Sequence, residues 1–184
     1  MMVLWIILAV VVVILLWIVG VFNGLITLRT RVEEAWADIE VQLKRRYDLI
    51  PNLVNTVQGY AAHEKGVFQA VTEARTKAMG ATGIADKAAA ENQLSGTLKS
   101  LFAVAENYPQ LKANENFLDL QKNLTDTEDK IQYSRRFYNT NVRDFNISIQ
   151  LFPRSIVAGI LKFQKKDMFE ITNAAERETP KVQF

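Results

Sequence analysis

The chain has no cysteine and a single histidine, His63, in 184 residues. Those two scarcities remove whole classes of chemistry. Without cysteine there is no disulfide, thiol nucleophile or lipidated cysteine, and a structural zinc site lacks its best ligands. His63 is followed by Glu64, but the stretch HEKGV has no second histidine to complete a zinc-protease HExxH. A di-iron bundle wants paired Glu-x-x-His motifs, and none occurs. Neither GxxxxGK[ST] nor GxGxxG is present, so no loop is built to cradle phosphates. The sequence therefore predicts no enzyme, no metal and no cofactor, and His63 reads as an ordinary residue near the surface. Proline is scarce as well, with four in all, at 51, 109, 153 and 180, and so sparse a punctuation argues against β-sheet.

Charge is missing from the start of the chain. The first charged side chain is Arg29, and Val3 to Phe22 reads VLWIILAVVVVILLWIVGVF. Twenty apolar residues in a helix span about 30 Å, the thickness of a bilayer's hydrocarbon core. A cleavable secretory signal would need a basic start and a small-residue cleavage site, and neither accompanies this run. The expectation is an uncleaved single-pass anchor over 1–28 with its core at 3–22, lined by Val3, Trp5, Leu8, Val12, Leu16, Val19 and Phe22. Trp5 is placed for an interfacial belt, whereas Trp17 lies too deep for one. Arg29 and Arg31 come directly after the run, which by the positive-inside rule puts the rest of the chain in the cytoplasm.

The chain beyond the anchor is long enough for one domain with a core of its own. The whole sequence carries 22 Lys+Arg against 20 Asp+Glu, a net of +2, with the signs interspersed. A nucleic-acid partner would want a basic stripe, so none is expected.

The helical signal has a countable period. Every seventh residue from Trp36 gives Leu43, Ile50, Val57, Glu64, Val71 and Ala78; the companion row from Val32 gives Ile39, Arg46, Leu53, Tyr60, Val67 and Ala74. Only Glu64 and Arg46 break the apolar character of these rows, which is the pattern of long packed helices. Pro51 lacks a backbone N–H and disfavours helix in Ile50, so the spacing predicts either one helix kinked there or two meeting at Asp48–Pro51. Gly80-Ala81-Thr82-Gly83 ends the first arm. Leu94, Leu98, Leu101, Ala105 and Tyr108 mark a second, and Asn107-Tyr108-Pro109 the next turn. A third arm carries Phe117, Leu124, Ile131, Tyr138 and Phe145 at steps of seven, beside a polar row of Asn114, Gln121, Glu128 and Arg135 that ends at Val142. The fold class expected is all-α: an antiparallel bundle of three to four long helices over 29–163, then a tail at 164–184.

Arg46 sits at a core-facing slot. Either its stem packs while its head reaches solvent, or it belongs to a buried ion pair that fixes register. A candidate polar layer is Arg46, Asp48, Glu128 and Arg135, with Glu128 opposite Arg46 or Arg135 opposite Asp48. Tyr133, Phe137 and Tyr138 occupy more than one face of the third arm. That arm either touches two neighbours in the bundle or presents an aromatic face to a partner. Near the end, Ile156, Val157, Ile160 and Leu161 with Lys162 form a short apolar stretch that cannot span a bilayer. It reads as a cap on the bundle or as a helix lying on lipid. The last residues read as a frayed end, or as a hook whose terminal Val182 and Phe184 dock on a neighbouring subunit.

The run AWADIEVQLKRRYDLIPNLVNTVQGYAAHEKGVFQAVTEAR, the blocks ENFLDLQKNL and IQYSRRFYN, and the Phe152-Pro153 segment resemble the LemA family of bacterial membrane proteins, in the family's order and over nearly the whole chain. The resemblance implies an antiparallel bundle of long helices behind one amino-terminal anchor, and no established chemistry. Two functions stand. One is a non-enzymatic scaffold that assembles with itself and organises the envelope. The other is an adaptor or sensor that binds a membrane peptidase, another envelope protein or a small ligand. The partners expected are the lipid bilayer and either further copies of the chain or other membrane proteins.

Overall fold

The computed structural model describes residues 1–170, and within them there are six helices and no strand. They are α1 (Met2–Gln58), α2 (Lys65–Gly80), α3 (Ile84–Ala105), α4 (Pro109–Lys112), α5 (Glu115–Ser148) and α6 (Arg154–Ile160). α1 is a single helix of 57 residues that carries the apolar run and the first core-facing rows without a break. The chain divides into two compact units, Met1–Val41 with Gln132–Met168, and Gln42–Ile131 with the described residues from Phe169 on.

In the first unit every residue up to Gly20 is exposed, and burial begins at Val21 and Leu25. Further along, Val32, Ala35 and Ile39 pack with Tyr138, Val142 and Phe145 as the core. The rings of Trp36 and Tyr138 lie 5.4 Å apart, while Phe22 and Ile26 share a cleft with Phe145. As α1 descends, α5 advances, so the two are antiparallel here. Beyond α6 the chain folds back onto α5. Phe163 meets Phe145 edge-on with ring centroids 6.3 Å apart. The Asn146 side chain accepts from Lys166 N–H at 2.9 Å and donates to Lys166 O at 2.8 Å, and Tyr138 donates to Asp167 O at 2.9 Å. Residues 164–167 are therefore strapped to α5 rather than leaving it at Phe163. The remainder of the expected tail, 171–184 with Val182 and Phe184, lies outside the described residues.

In the second unit α2 and α3 form a hairpin across Ala81–Gly83. Gly83 has φ +85°, a left-handed backbone that glycine adopts without a Cβ penalty. Pro109 opens α4, where its missing N–H costs nothing. Asn114 then caps α5: its Oδ1 accepts the Phe117 N–H at 3.0 Å, and its Nδ2 donates to the Tyr60 hydroxyl at 3.1 Å. Contacts of α1 with α5 run from Arg46–Glu128 to Tyr60–Asn114, again antiparallel. The core is Leu43, Ile50, Leu53, Val57, Phe68, Val71, Leu94, Leu101, Phe117 and Leu124.

Of the two readings of Pro51, the structure has one helix rather than two. Proline removes the hydrogen bond that Tyr47 O would accept four residues earlier. Arg75 Nε, from α2, donates to that same carbonyl at 2.8 Å. The helix turns instead at Gly59–Glu64, where the period-seven rows gave no warning. Tyr60, expected in the core, is exposed; Ala61 takes the buried place, and in α2 Phe68 is more deeply buried than Val67.

Candidate functional site: a buried arginine network

Arg46 projects from the core face of α1 and is only 2% exposed. An unpaired guanidinium there would be costly, so its surroundings must supply negative charge. They do. Nη2 donates to Glu91 Oε2 on α3. Nη1 donates to Glu128 Oε2 on α5 at 2.5 Å and to Ser95 Oγ on α3 at 3.1 Å. The other oxygen of Glu91 accepts the hydroxyl of Tyr47, the next residue of α1. Glu91 is thus clamped by two consecutive side chains, and it is itself buried, whereas Glu128 is half-exposed.

Two carboxylates around one guanidinium leave a surplus of negative charge, and Lys87 places a further cation beside Tyr47. One turn before Glu91 on α3, its Nζ lies 5.8 Å from the centre of the Tyr47 ring and donates to Ala78 O at 2.9 Å. Burial raises the Tyr47 pKa above its ordinary value, and the neighbouring Arg46 charge pulls partly the other way. Two buried polar atoms, Arg46 Nε and Gln42 Oε1, make no hydrogen bond. They are a donor and an acceptor one turn apart on α1, left over once both terminal nitrogens of the guanidinium turn to α3 and α5.

Chemically the cluster consumes its own groups. Its serine accepts from the guanidinium, its tyrosine is spent on a carboxylate, and both acids are held by the one guanidinium. Among the described residues no group of three or more His, Cys, Asp or Glu is arranged to hold a metal ion. What the cluster does is tie α1, α3 and α5 at one level, because a shift of any of the three by one residue would turn a charge away from its partner.

The structure brings Arg46 and Glu128 together. Asp48 is exposed and takes no part, and Arg135 lies outside the cluster, half-buried on α5. Glu91, Tyr47, Ser95 and Lys87 are members that the sequence reading did not place in the layer. Glu91 had a signal, since it stands three residues before Leu94 in the stripe that continues through Leu98 and Leu101. The short stretch near the end splits. Val157 turns inward with Ala158, while Ile156, Ile160, Leu161 and Lys162 are exposed, so the four apolar residues do not share one face. A seven-residue helix makes barely two turns, and residues 156 and 157 point about 100° apart. Val3, Trp5, Leu8, Val12, Leu16, Val19 and Phe22 are all exposed, in one helix long and apolar enough to cross a membrane.

A family model for the LemA family matches residues 35–184. The chain belongs to the LemA family. Among curated proteins, this LemA-family chain is similar to magnetosome protein MamQ of Magnetospirillum gryphiswaldense, 23% identical over 189 aligned residues that cover 88% of the chain and 70% of the relative. Magnetosome protein MamQ 2 of Paramagnetospirillum magneticum is 25% identical, with 81% of the chain and 64% of the relative covered. Protein LemA of Metamycoplasma hominis is 26% identical, with 89% and 73% covered. The chain thus spans about two thirds of the length of the relatives it matches.

Proposed function

We propose that this LemA-family chain is a non-enzymatic scaffold, anchored in the membrane by the apolar part of α1, that assembles with copies of itself and organises the envelope around it. The observation that carries this reading is an aromatic pair on α5. Tyr133 is 70% exposed and Phe137 50%, one turn apart. The core-facing row of the same helix, Ile131, Tyr138 and Phe145, is buried. The second aromatic face is therefore not the contact with a further neighbour that a central helix of the bundle would make. An exposed aromatic face on a stable helix marks a contact with another chain. Anchoring favours that contact, because chains confined to a membrane meet at high effective concentration.

The arginine network supports the same reading, since both terminal nitrogens of its guanidinium and both its acids are engaged between helices. We put the bundle on the cytoplasmic side, because Arg29 and Arg31 come directly after the apolar run and basic residues beside a span stay inside. The names LemA and magnetosome protein MamQ, carried by the relatives, specify no reaction.

The absence of cysteine makes the test direct. Phe137→Cys in an otherwise native chain should form a disulfide-linked dimer when membranes are oxidised, while Asp119→Cys, elsewhere on α5, should not. Phe137→Cys remaining a single chain under the same oxidation would contradict self-assembly through this face. A cross-link to a different protein would replace the scaffold with an adaptor.

A further inference from the structure

The turn that joins α5 to α6 leaves large apolar side chains in the open. Phe152 is 80% exposed and Ile160 74%, with Leu151 and Ile156 exposed beside them. Nothing in the unit to which they belong covers them, and such a patch is costly in water. Its position relative to the anchor gives the reason for it. A cleft of about 470 Å³ is lined on one side by Phe22, Ile26 and Arg29 of α1 and on the other by residues 161–166, with Phe145 between. The segment leaving α6 therefore lies level with the residues that end the apolar run. Packing within the unit starts at Val21 and Leu25, so the part of α1 available to hydrocarbon ends where the α5–α6 corner begins.

Charge agrees with that placement. The cleft is lined by four cations, Arg29, Lys162, Lys165 and Lys166, and by no carboxylate. Glu33 pairs with Arg29 at 3.0 Å, which leaves the three lysines as the surplus. Apolar side chains with lysines directly behind them, at the foot of a transmembrane helix, match the chemistry of an anionic lipid surface: acyl chains inward, phosphate outward.

We propose that the α5–α6 corner is a second membrane contact, in which Leu151, Phe152, Ile156 and Ile160 enter the boundary between headgroups and acyl chains while Lys162, Lys165 and Lys166 hold anionic headgroups at the mouth of the cleft. The inference rests on α1 being the anchor. It adds that the first unit is fixed in tilt as well as tethered, because two separated points of that unit then touch the same leaflet.

The experiment uses full-length protein reconstituted into vesicles and single labels on introduced cysteines. Val12→Cys reports the anchor, Phe152→Cys and Ile160→Cys report the corner, and Asp119→Cys is the aqueous control. Each carries an environment-sensitive fluorophore and is challenged with brominated lipid and with water-soluble iodide. The expected result is that the corner labels are quenched severalfold more by brominated lipid than the control and are shielded from iodide. That lipid quenching should be stronger in anionic than in zwitterionic vesicles, and the difference should shrink in high salt or in Lys162→Gln/Lys165→Gln/Lys166→Gln protein. Corner labels as open to iodide as the control would overturn the proposal, and labels shielded from both quenchers would assign the patch to a protein partner instead. Equal quenching in the two lipids would remove the headgroup role. Failure of Val12→Cys to meet brominated lipid would overturn the anchor reading itself, a result distinct from failure at the corner alone.

Discussion

A guanidinium held at 2% exposure has to be neutralised where it sits, and at Arg46 two acids, Glu91 and Glu128, do so. Removing the arginine leaves buried Glu91 with the Tyr47 hydroxyl but without an opposite charge. Arg46→Leu should lower stability by about 3–5 kcal/mol, since Glu91 is then left uncompensated. Replacing Arg46 and Glu91 together by leucine and methionine should cost less than either single change. Denaturant titration followed by circular dichroism checks both, and a loss below about 0.5 kcal/mol for Arg46→Leu would mean that the pair is not formed. A second residue, Tyr138, ties stability to pH. Burial first, and the Asp167 charge second, push its phenol from 10.0 up to about 12. The folded state thus favours the protonated form. That contribution is whole below pH 10, where unfolded tyrosine also keeps its proton, and is lost as pH rises toward 12. Tyr138→Phe should flatten the fall in stability across that window; an unchanged slope would show that Tyr138 does not carry it.

Elements behave here as tertiary partners permit. Pro51 interrupts the ladder of α1, and Arg75 of α2 supplies the missing donor to Tyr47 O. Arg75→Met should therefore cost about 1–3 kcal/mol for an orphaned buried carbonyl. The loss should be much smaller in a Pro51→Ala background, where the helix provides its own N–H. Additive losses in that cycle would deny the link. At the next turn, Gly83→Ala forces a Cβ into φ +85° and should cost about 1–2 kcal/mol even though the space around it is open. Much of this architecture was legible in the sequence. The rows from Val32 to Val57 and from Phe117 to Phe145 name core residues because one buried face of a helix imposes the period directly. The turn at Gly59–Glu64 was not legible, since Tyr60 continues an apolar row without being buried. Continuity through Pro51 was one of the two readings the sequence allowed, and the choice between them was not legible, because the rescuing donor comes from a residue 24 positions later in the chain. Glu91 could have been read from its place beside Leu94, whereas Tyr47 belongs to neither row and its burial comes only from the packing of α2 and α3.

For the molecule as a whole, one helix carries both the apolar run and a wall of each packed unit, so whatever fixes α1 in a bilayer also fixes the level of the α5 residues packed against its first turns beyond the run. The clamp at Arg46 ties α1, α3 and α5 in the second unit, and Tyr133 and Phe137 stand exposed on the first, where the proposed scaffold would join its copies. Self-assembly through that face is open to one decisive measurement. It is the mass of the full-length protein in mild detergent, taken by light scattering with every co-purifying chain identified. A scaffold of this kind should give a defined multiple of 20.9 kDa with no second protein, and a return to one copy on Phe137→Asp. A wild-type protein that runs as a single 20.9 kDa chain, alone or carrying a different protein, would rule it out.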